Sequence, residues 1–476
     1  MDLPLTTKAS AQPSISPQRV LGFRDLFLFY VVTGISLRWI AFAAAAGPRS
    51  IVIWAGAWLF FYVPLALSVV ELSSRYPDEG GLYVWTRRAF GDFAGFICAW
   101  IYWTSYFPYL PAVLYFAAGN ALYLRPNAWA HLSNHAPYYV VFSLITLLLA
   151  LSLNFLGLRA ERWLHNLGAI GMWAPVAIIL AAALISWQRF GPATHFTADT
   201  MMPHLKDITF WAVLIFAFGG SETASYMGGE IRMSKRTVPA ALLTAGITVA
   251  VCYILGTVSI LVAMPAAEVS SLQGLMQAIA KTAGRIGWQA VVPWSALLIT
   301  LSNLGAMSAF LAATVRLPFV AGVDRLLPSI FGKLHRRWRT PWFSLLVQGG
   351  IGAVFVLIGQ AGSSVRAAYD LLVNIGVITY FIPYLFLFAA MFRLQREPAG
   401  PEVVRVPGGK NAARLLALIG AATAGFAVAL SLFPPSEEPH KLLALIKVIG
   451  STAALILFGG GIYWWGRRAA SPEPQS

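Results

Sequence analysis

Long apolar stretches recur along this chain at the length that a lipid bilayer demands. A hydrocarbon core about 30 Å thick is crossed by about 20 helical residues. Twelve stretches of that order can be drawn, with approximate limits 24–46, 50–74, 93–123, 137–157, 163–187, 208–229, 237–264, 288–319, 342–360, 367–392, 411–433 and 441–465. Inside lipid a backbone must satisfy its own N–H and C=O groups, so repeated spans of this kind fold as helices. The expected fold class is an all-α polytopic membrane protein with twelve transmembrane helices. Composition agrees, since only 11% of residues are charged against about 25% in soluble domains. Cys98 and Cys252 both fall in apolar stretches, which suits buried thiols and implies no disulfide framework.

A net charge of +15 raises nucleic acid as a partner, but the basic residues are sorted by loop. Most of the 34 Lys and Arg fall on the side of the N-terminus. The opposite side holds only Arg49, Arg125, Arg189, Lys206, Lys281, Arg285, Arg366, Lys441 and Lys447, while Arg38 and Arg316 fall inside spans. The positive-inside rule then places both termini in the cytoplasm of a bacterial-type plasma (inner) membrane. The lipid bilayer is the expected partner, and nucleic acid is not. Residues 1–20 read as a disordered cytoplasmic tail with no cleaved signal peptide before the first span. The expected core is 21–395, followed by 396–466 (a Pro/Gly-rich loop and the last two spans) and a tail at 467–476. No G-x-x-x-x-G-K-[ST] motif is present, so ATP-driven work is not expected. His131, His135, His195 and His204 fall in loops without metal-ligand spacing. No metal, cofactor or enzymatic chemistry is expected.

Two spans are irregular. Residues 216–239 read FAFGGSETASYMGGEIRMSKRTVP, which sets Gly219, Gly220 and then Glu222 inside an apolar stretch before a basic turn at Arg232, Lys235 and Arg236. Glycines weaken a helix, and a charge at mid-membrane depth costs roughly 2.5–3.5 kcal/mol on insertion scales. Both together are tolerated where backbone lines a solvated cavity, as in a broken transport helix. The first span carries VVTGISLRWI at 31–40, with Thr33, Gly34 and Ser36 beside Arg38. The two breaks lie five spans apart. That spacing points to an inverted five-plus-five repeat, about 21–190 and 205–395, with discontinuous first and sixth helices.

A half-helix N-terminus offers N–H groups to a carboxylate, and a half-helix C-terminus offers carbonyls to an ammonium group. An α-amino acid carries both charges, so two broken helices can clamp it. Thr33, Gly34, Ile35 and Ser36 are the candidates for the carboxylate, or else a helix contact through small residues. Phe216, Ala217, Phe218, Gly219 and Gly220 are the candidates for the ammonium end. Either Phe216 or Phe218 could cap the cavity, or simply pack. Glu222 is a buried carboxylate suited to carrying a proton or gating by pH, or to a structural hydrogen-bond role. Arg38 lies about fourteen residues into its span, too deep to snorkel at 1.5 Å per residue. It reads first as half of a structural ion pair with Glu222 or another buried carboxylate, and otherwise as facing an anionic substrate group.

The chain resembles the amino acid–polyamine–organocation superfamily over roughly residues 20–400. Three segments carry the resemblance: ELSSRYPDEGGLYVWTRRAFGDFAGFICAWIYW at 71–103, the stretch at 216–239, and VRLPFVAGVDRLLP at 315–328. The resemblance implies alternating access around a central site held by the unwound parts of spans one and six. It also implies a gating aromatic at Phe216 and a carboxylate at Glu222 that works with Tyr102 and Tyr384. Some proton-coupled relatives carry a lysine in span five. Here no Lys, Arg, Asp or Glu lies between Arg162 and Arg189, which leaves coupling through Glu222 or plain exchange. Glu79, Gly80, Gly81, Arg87, Arg88, Asp324 and Arg325 would be gate contacts or solvated loop charges. The expected function is a secondary active amino acid permease, with protons or a counter-substrate as the coupled species. A polyamine or organocation transporter is the alternative, and a non-transporting sensor or a channel is a third class.

Overall fold

The computed structural model describes residues 22–470 except 77–79, 157, 205–207, 224–233, 316–317, 319–326, 339, 360–364, 402 and 433–440. Glu79, Arg232, Asp324 and Arg325 lie outside the described residues. The longer helices are α1 (Phe23–Gly34), α2 (Leu37–Ala45), α3 (Ser50–Ala57), α4 (Val63–Arg75), α5 (Leu82–Phe90), α6 (Asp92–Ala121), α7 (Ala136–Leu156) and α8 (Leu158–Phe190). There follow α9 (Ile208–Phe216), α10 (Ser234–Ala263), α11 (Gly274–Ile286), α12 (Val291–Thr314), α13 (Trp342–Gly359), α14 (Val365–Leu394), α15 (Gly409–Ser431) and α16 (Lys441–Ala470). The described residues contain no strand.

Among the described residues, 7 helical stretches are long and apolar enough to cross a membrane: Ser50–Arg75, Ala136–Phe155, Gly171–Phe190, Thr237–Ala263, Val291–Ala312, Ile375–Leu394 and Gly409–Ser431. The first joins α3 and α4 through one π-helical turn at Trp58–Tyr62. The stretch expected at 24–46 is split between α1 and α2, and the helix expected at 208–229 stops at Phe216. Large apolar side chains such as Ile145, Leu148, Leu184, Ile247, Leu415 and Leu457 are exposed on the outside of the bundle. A water-soluble protein of this size would not leave so many uncovered, and lipid is the solvent that suits them.

Inside the bundle, α8 packs along α12, α6 along α14, and α1 along α10. Gly171 makes the first of these contacts close, because a Cβ there would run into the Leu298 carbonyl. Cys98 and Cys252 are both buried free thiols.

At the end of the bundle near Arg75, the segment after α14 is latched onto α4 and α5. Glu71 is 1% exposed. Its carboxylate accepts from Arg75 Nη2 (2.8 Å), Gln395 Nε2 (2.6 Å) and the Val406 N–H (2.9 Å). Arg75 Nη1 also donates to the carbonyls of Leu394 and Glu397. Glu397 in turn accepts from the Tyr76 hydroxyl (2.8 Å) and from Arg88 Nε and Nη2 (3.2 and 3.1 Å). Partial burial disfavours the Glu397 charge, but the bonds from Tyr76 and Arg88 and the charges of Arg88 and Arg75 outweigh it, holding this carboxyl below its ordinary range. Arg87 pairs with Asp92 at 2.6 Å on the exposed side of the same corner.

Candidate functional site

The site begins where α1 stops. The Ile35 N–H donates to the Val31 carbonyl (3.0 Å), closing the last turn of α1. Ser36 then turns extended, with φ −128° and ψ 120°, and stands before the first residue of α2. The first N–H groups of α2 have no acceptor within their own helix. Thr33 sits in the last turn of α1.

The second break follows α9. Phe218 and Gly219 donate to the carbonyls of Ile215 and Phe216, tightening the helix end into a turn. Gly220 then takes φ +102°, a conformation that residues with a Cβ rarely adopt. Gly219 is needed for a different reason. A Cβ there would lie 2.6 Å from the Tyr380 ring and 2.9 Å from the Tyr384 hydroxyl.

One hydroxyl joins the two breaks. Tyr253, on α10, accepts from the Ser36 N–H (3.1 Å) and lies 2.8 Å from the Gly34 carbonyl and 3.3 Å from the Ala217 carbonyl. Its ring stacks on Trp54 at 4.4 Å, and Trp54 is itself held by an indole N–H bond to Thr257. Sequence reasoning did not identify Tyr253, since a lone tyrosine in an apolar span looks like core.

Just past the second break, Glu222 is fully buried. Tyr102 donates to its Oε1 at 2.6 Å, Tyr380 to the same oxygen at 3.2 Å, and Tyr384 to its Oε2 at 2.9 Å. Tyr384 also accepts from the Gly220 N–H (2.9 Å), and Tyr106 donates to Tyr102 (3.1 Å). The structure therefore brings Glu222, Tyr102 and Tyr384 together and adds Tyr380 and Tyr106. The i, i+4 spacing of Tyr102 with Tyr106, and of Tyr380 with Tyr384, puts each pair on one helix face. That spacing is the signal from which the two extra tyrosines could have been found.

A small cavity of about 40 Å³ lies between the breaks. It is lined by Gly34, Ile35, Ser36, Phe216, Ala217 and Gly219 from the breaks, by Tyr106 and Tyr109 from α6, and by Tyr380 from α14. Ser302 and Asn303 of α12 also line it. At roughly 10–15 Å³ for each water, it has room for a few waters. The Phe216 ring stands edge-on between Trp39 (5.4 Å) and Tyr380 (4.8 Å) at the cavity wall.

Phe218 and Gly220 do not reach this cavity. They line a second space of about 10 Å³ with Tyr30, Tyr62 and Ser221. The turn after α9 sends Phe218 the other way, against Trp54 (5.6 Å), Tyr62 and Tyr253 (each 5.7 Å).

Arg38 departs from the ion pair expected of it. It is 1% exposed, yet among the described residues no carboxylate pairs with it, because the Glu222 oxygens are taken by three tyrosines. Its guanidinium instead lies between two rings, 4.0 Å from the centre of Trp39 and 4.4 Å from that of Tyr109. Nε and Nη2 are buried without a hydrogen-bond partner among the described residues. Each ring contributes about 2 kcal/mol when desolvated. Burying the charge costs several kcal/mol, and each unmade bond adds about 1–3. The rings alone leave the balance unfavourable.

Residues 21–449 match the family described as amino acid permease. Similar proteins include an uncharacterised transporter of Legionella pneumophila, 28% identical over 93% of this chain and 95% of its own length. A probable agmatine/putrescine antiporter of Lactococcus lactis is 24% identical over 77% of this chain and 78% of its own. A serine/threonine exchanger of Bacillus subtilis is 25% identical over 71% and 73%.

Proposed function

Since the chain belongs to the amino acid permease family and is a multi-pass membrane transporter rather than an enzyme, we propose that it is a secondary active carrier for an α-amino acid. It works by alternating access, coupled to protons or to a counter-substrate. The observation that carries this reading is the pair of helix breaks, at Gly34–Ser36 and Phe216–Gly220, that share the Tyr253 hydroxyl beside one cavity. Opposite helix ends meeting there can hold opposite charges of one small molecule. About 40 Å³ of space is too little for an amino acid, so Phe216 or its neighbours must move to admit a substrate. The fold is read as twelve spans with an inverted repeat in 21–395, both termini on the cytoplasmic side of the plasma membrane, and Glu222 with its tyrosines as the proton-responsive group.

The likeness to a probable agmatine/putrescine antiporter favours a second reading, an organocation carrier. Against it stand the three hydroxyls that occupy Glu222 and the buried cation next to the cavity wall. A thermal-shift screen of the detergent-solubilised protein separates the two, because a ligand that binds only the folded state raises the melting temperature by mass action. Shifts with α-amino acids are expected. A shift with putrescine or spermidine alone would replace the amino acid reading with the organocation one.

A further inference from the structure

Arg38 stands in the first turn of α2, next to the break at Ser36. The N–H groups proposed to receive a carboxylate at that break are partly spoken for. Ile35 donates to Val31, and Ser36 donates to Tyr253. What remains near the cavity for an anion is the α2 N-terminus and, behind the wall that Trp39 and Tyr109 form, the Arg38 guanidinium, whose Nε and Nη2 have no hydrogen-bond partner among the described residues although Arg38 is 1% exposed. The two rings that clasp the guanidinium, Trp39 and Tyr109, are themselves cavity walls. A helix N-terminus and a planar fork of donors both favour the same ligand chemistry, a carboxylate.

From the cavity-flanking guanidinium of Arg38 at the head of α2, whose Nε and Nη2 lack hydrogen-bond partners among the described residues, we infer that Arg38 determines specificity by pairing with a carboxylate of the substrate and thereby excludes amines that carry no carboxylate. The inference rests on the carrier reading above. The carboxylate belongs either to the α-carbon or to the substrate side chain. In both cases the substrate brings the counter-ion that the described residues do not supply, and a substrate whose only charge is cationic leaves Arg38 without one and meets like charge.

The test uses the full-length protein in proteoliposomes with four labelled probes: serine, glutamate, γ-aminobutyrate and ethanolamine. Wild type is compared with Arg38→Met and Arg38→Lys, each checked for a single monodisperse species. The expected result is uptake of carboxylate-bearing probes, with ethanolamine weaker by about tenfold or more, as loss of a charge-assisted bond implies. Arg38→Met should raise KM for the carboxylate probes by a similar factor without worsening ethanolamine, and Arg38→Lys should recover part of it. Loss for glutamate and γ-aminobutyrate but not serine assigns Arg38 to the side-chain carboxylate. Loss for serine and glutamate but not γ-aminobutyrate assigns it to the α-carboxylate. A folded Arg38→Met with unchanged KM for every carboxylate probe overturns the inference and leaves the carrier reading standing. Wild-type uptake of ethanolamine alone overturns both. If Arg38→Met does not fold, the wild-type preference and the KM of Arg38→Lys decide.

Discussion

Glu222 is held by hydroxyls and Arg38 by rings, and that division shapes the chemistry of the site. Glu222, whose described partners include three tyrosyl O–H groups, is the proposed proton carrier, and Tyr384, which also accepts from the Gly220 N–H, ties it to the second break. Glu222→Gln is the direct probe, since an amide keeps the shape and cannot titrate. The variant should still bind substrate in a thermal-shift assay but lose the pH dependence of uptake, which can reach the order of tenfold per pH unit when one proton is limiting. A wild-type pH profile in the variant would remove the proton role. At this scale the sequence was legible where a residue type was out of place. A carboxylate in an apolar span announces itself, and resemblance leads from it to Tyr102 and Tyr384. Tyr106 and Tyr380 were legible one helical turn from Tyr102 and Tyr384, but Tyr253 was not, because tyrosine is ordinary in a core and only the fold shows what its hydroxyl reaches. Arg38 was misread because sequence offers the nearest carboxylate as a partner without showing that its oxygens are already in use.

The two breaks are elements in their own right, and their glycines are the parts least open to change. Valine at Gly219 would drive its side chain into Tyr380 and Tyr384. Overpacking of this kind costs about 1–3 kcal/mol, small enough for Gly219→Val to insert and fold. Uptake should nevertheless be lost, because the overpacked contact lies between α14 and the break that is proposed to move. Normal uptake by a well-inserted Gly219→Val would contradict the account of the second break. The latch on α4 and α5 is the other element with a definite expectation. Glu397 has a lowered folded-state pKa, so its contribution is complete above the unfolded value of about 4.3 and is lost as pH falls from there through the lower folded value. Glu397→Gln should lower the melting temperature at neutral pH and remove the part of the acid decline that belongs to this window. Superimposable melting-temperature profiles for variant and wild type would show that the latch carries no such term. Apolar periodicity and length made the spans readable. The latch was not readable, because the partners of Glu71 (Gln395 and Val406) and those of Glu397 (Tyr76 and Arg88) are far away in the chain.

On the scale of the whole molecule, the account is that an apolar exterior dissolves the bundle in lipid while the two breaks give its interior a site open to one side at a time. The exposed leucines and isoleucines of α7, α8, α10 and α15, the family match over residues 21–449 and the buried polar cluster around Glu222 all follow from that division. The grouping of basic residues by loop is what supports the proposed cytoplasmic placement of both termini. The spacing of the breaks suggests how two halves could rock about one site, although few residues match between those halves. The measurement that bears most directly on the central claim is counterflow in proteoliposomes, with unlabelled amino acid inside and a trace of labelled amino acid outside. A carrier that alternates predicts transient, saturable accumulation of label above its equilibrium level, abolished by Gly219→Val. Flux that only equilibrates, rises linearly with concentration and ignores the internal amino acid would contradict alternating access and mark the protein as a channel.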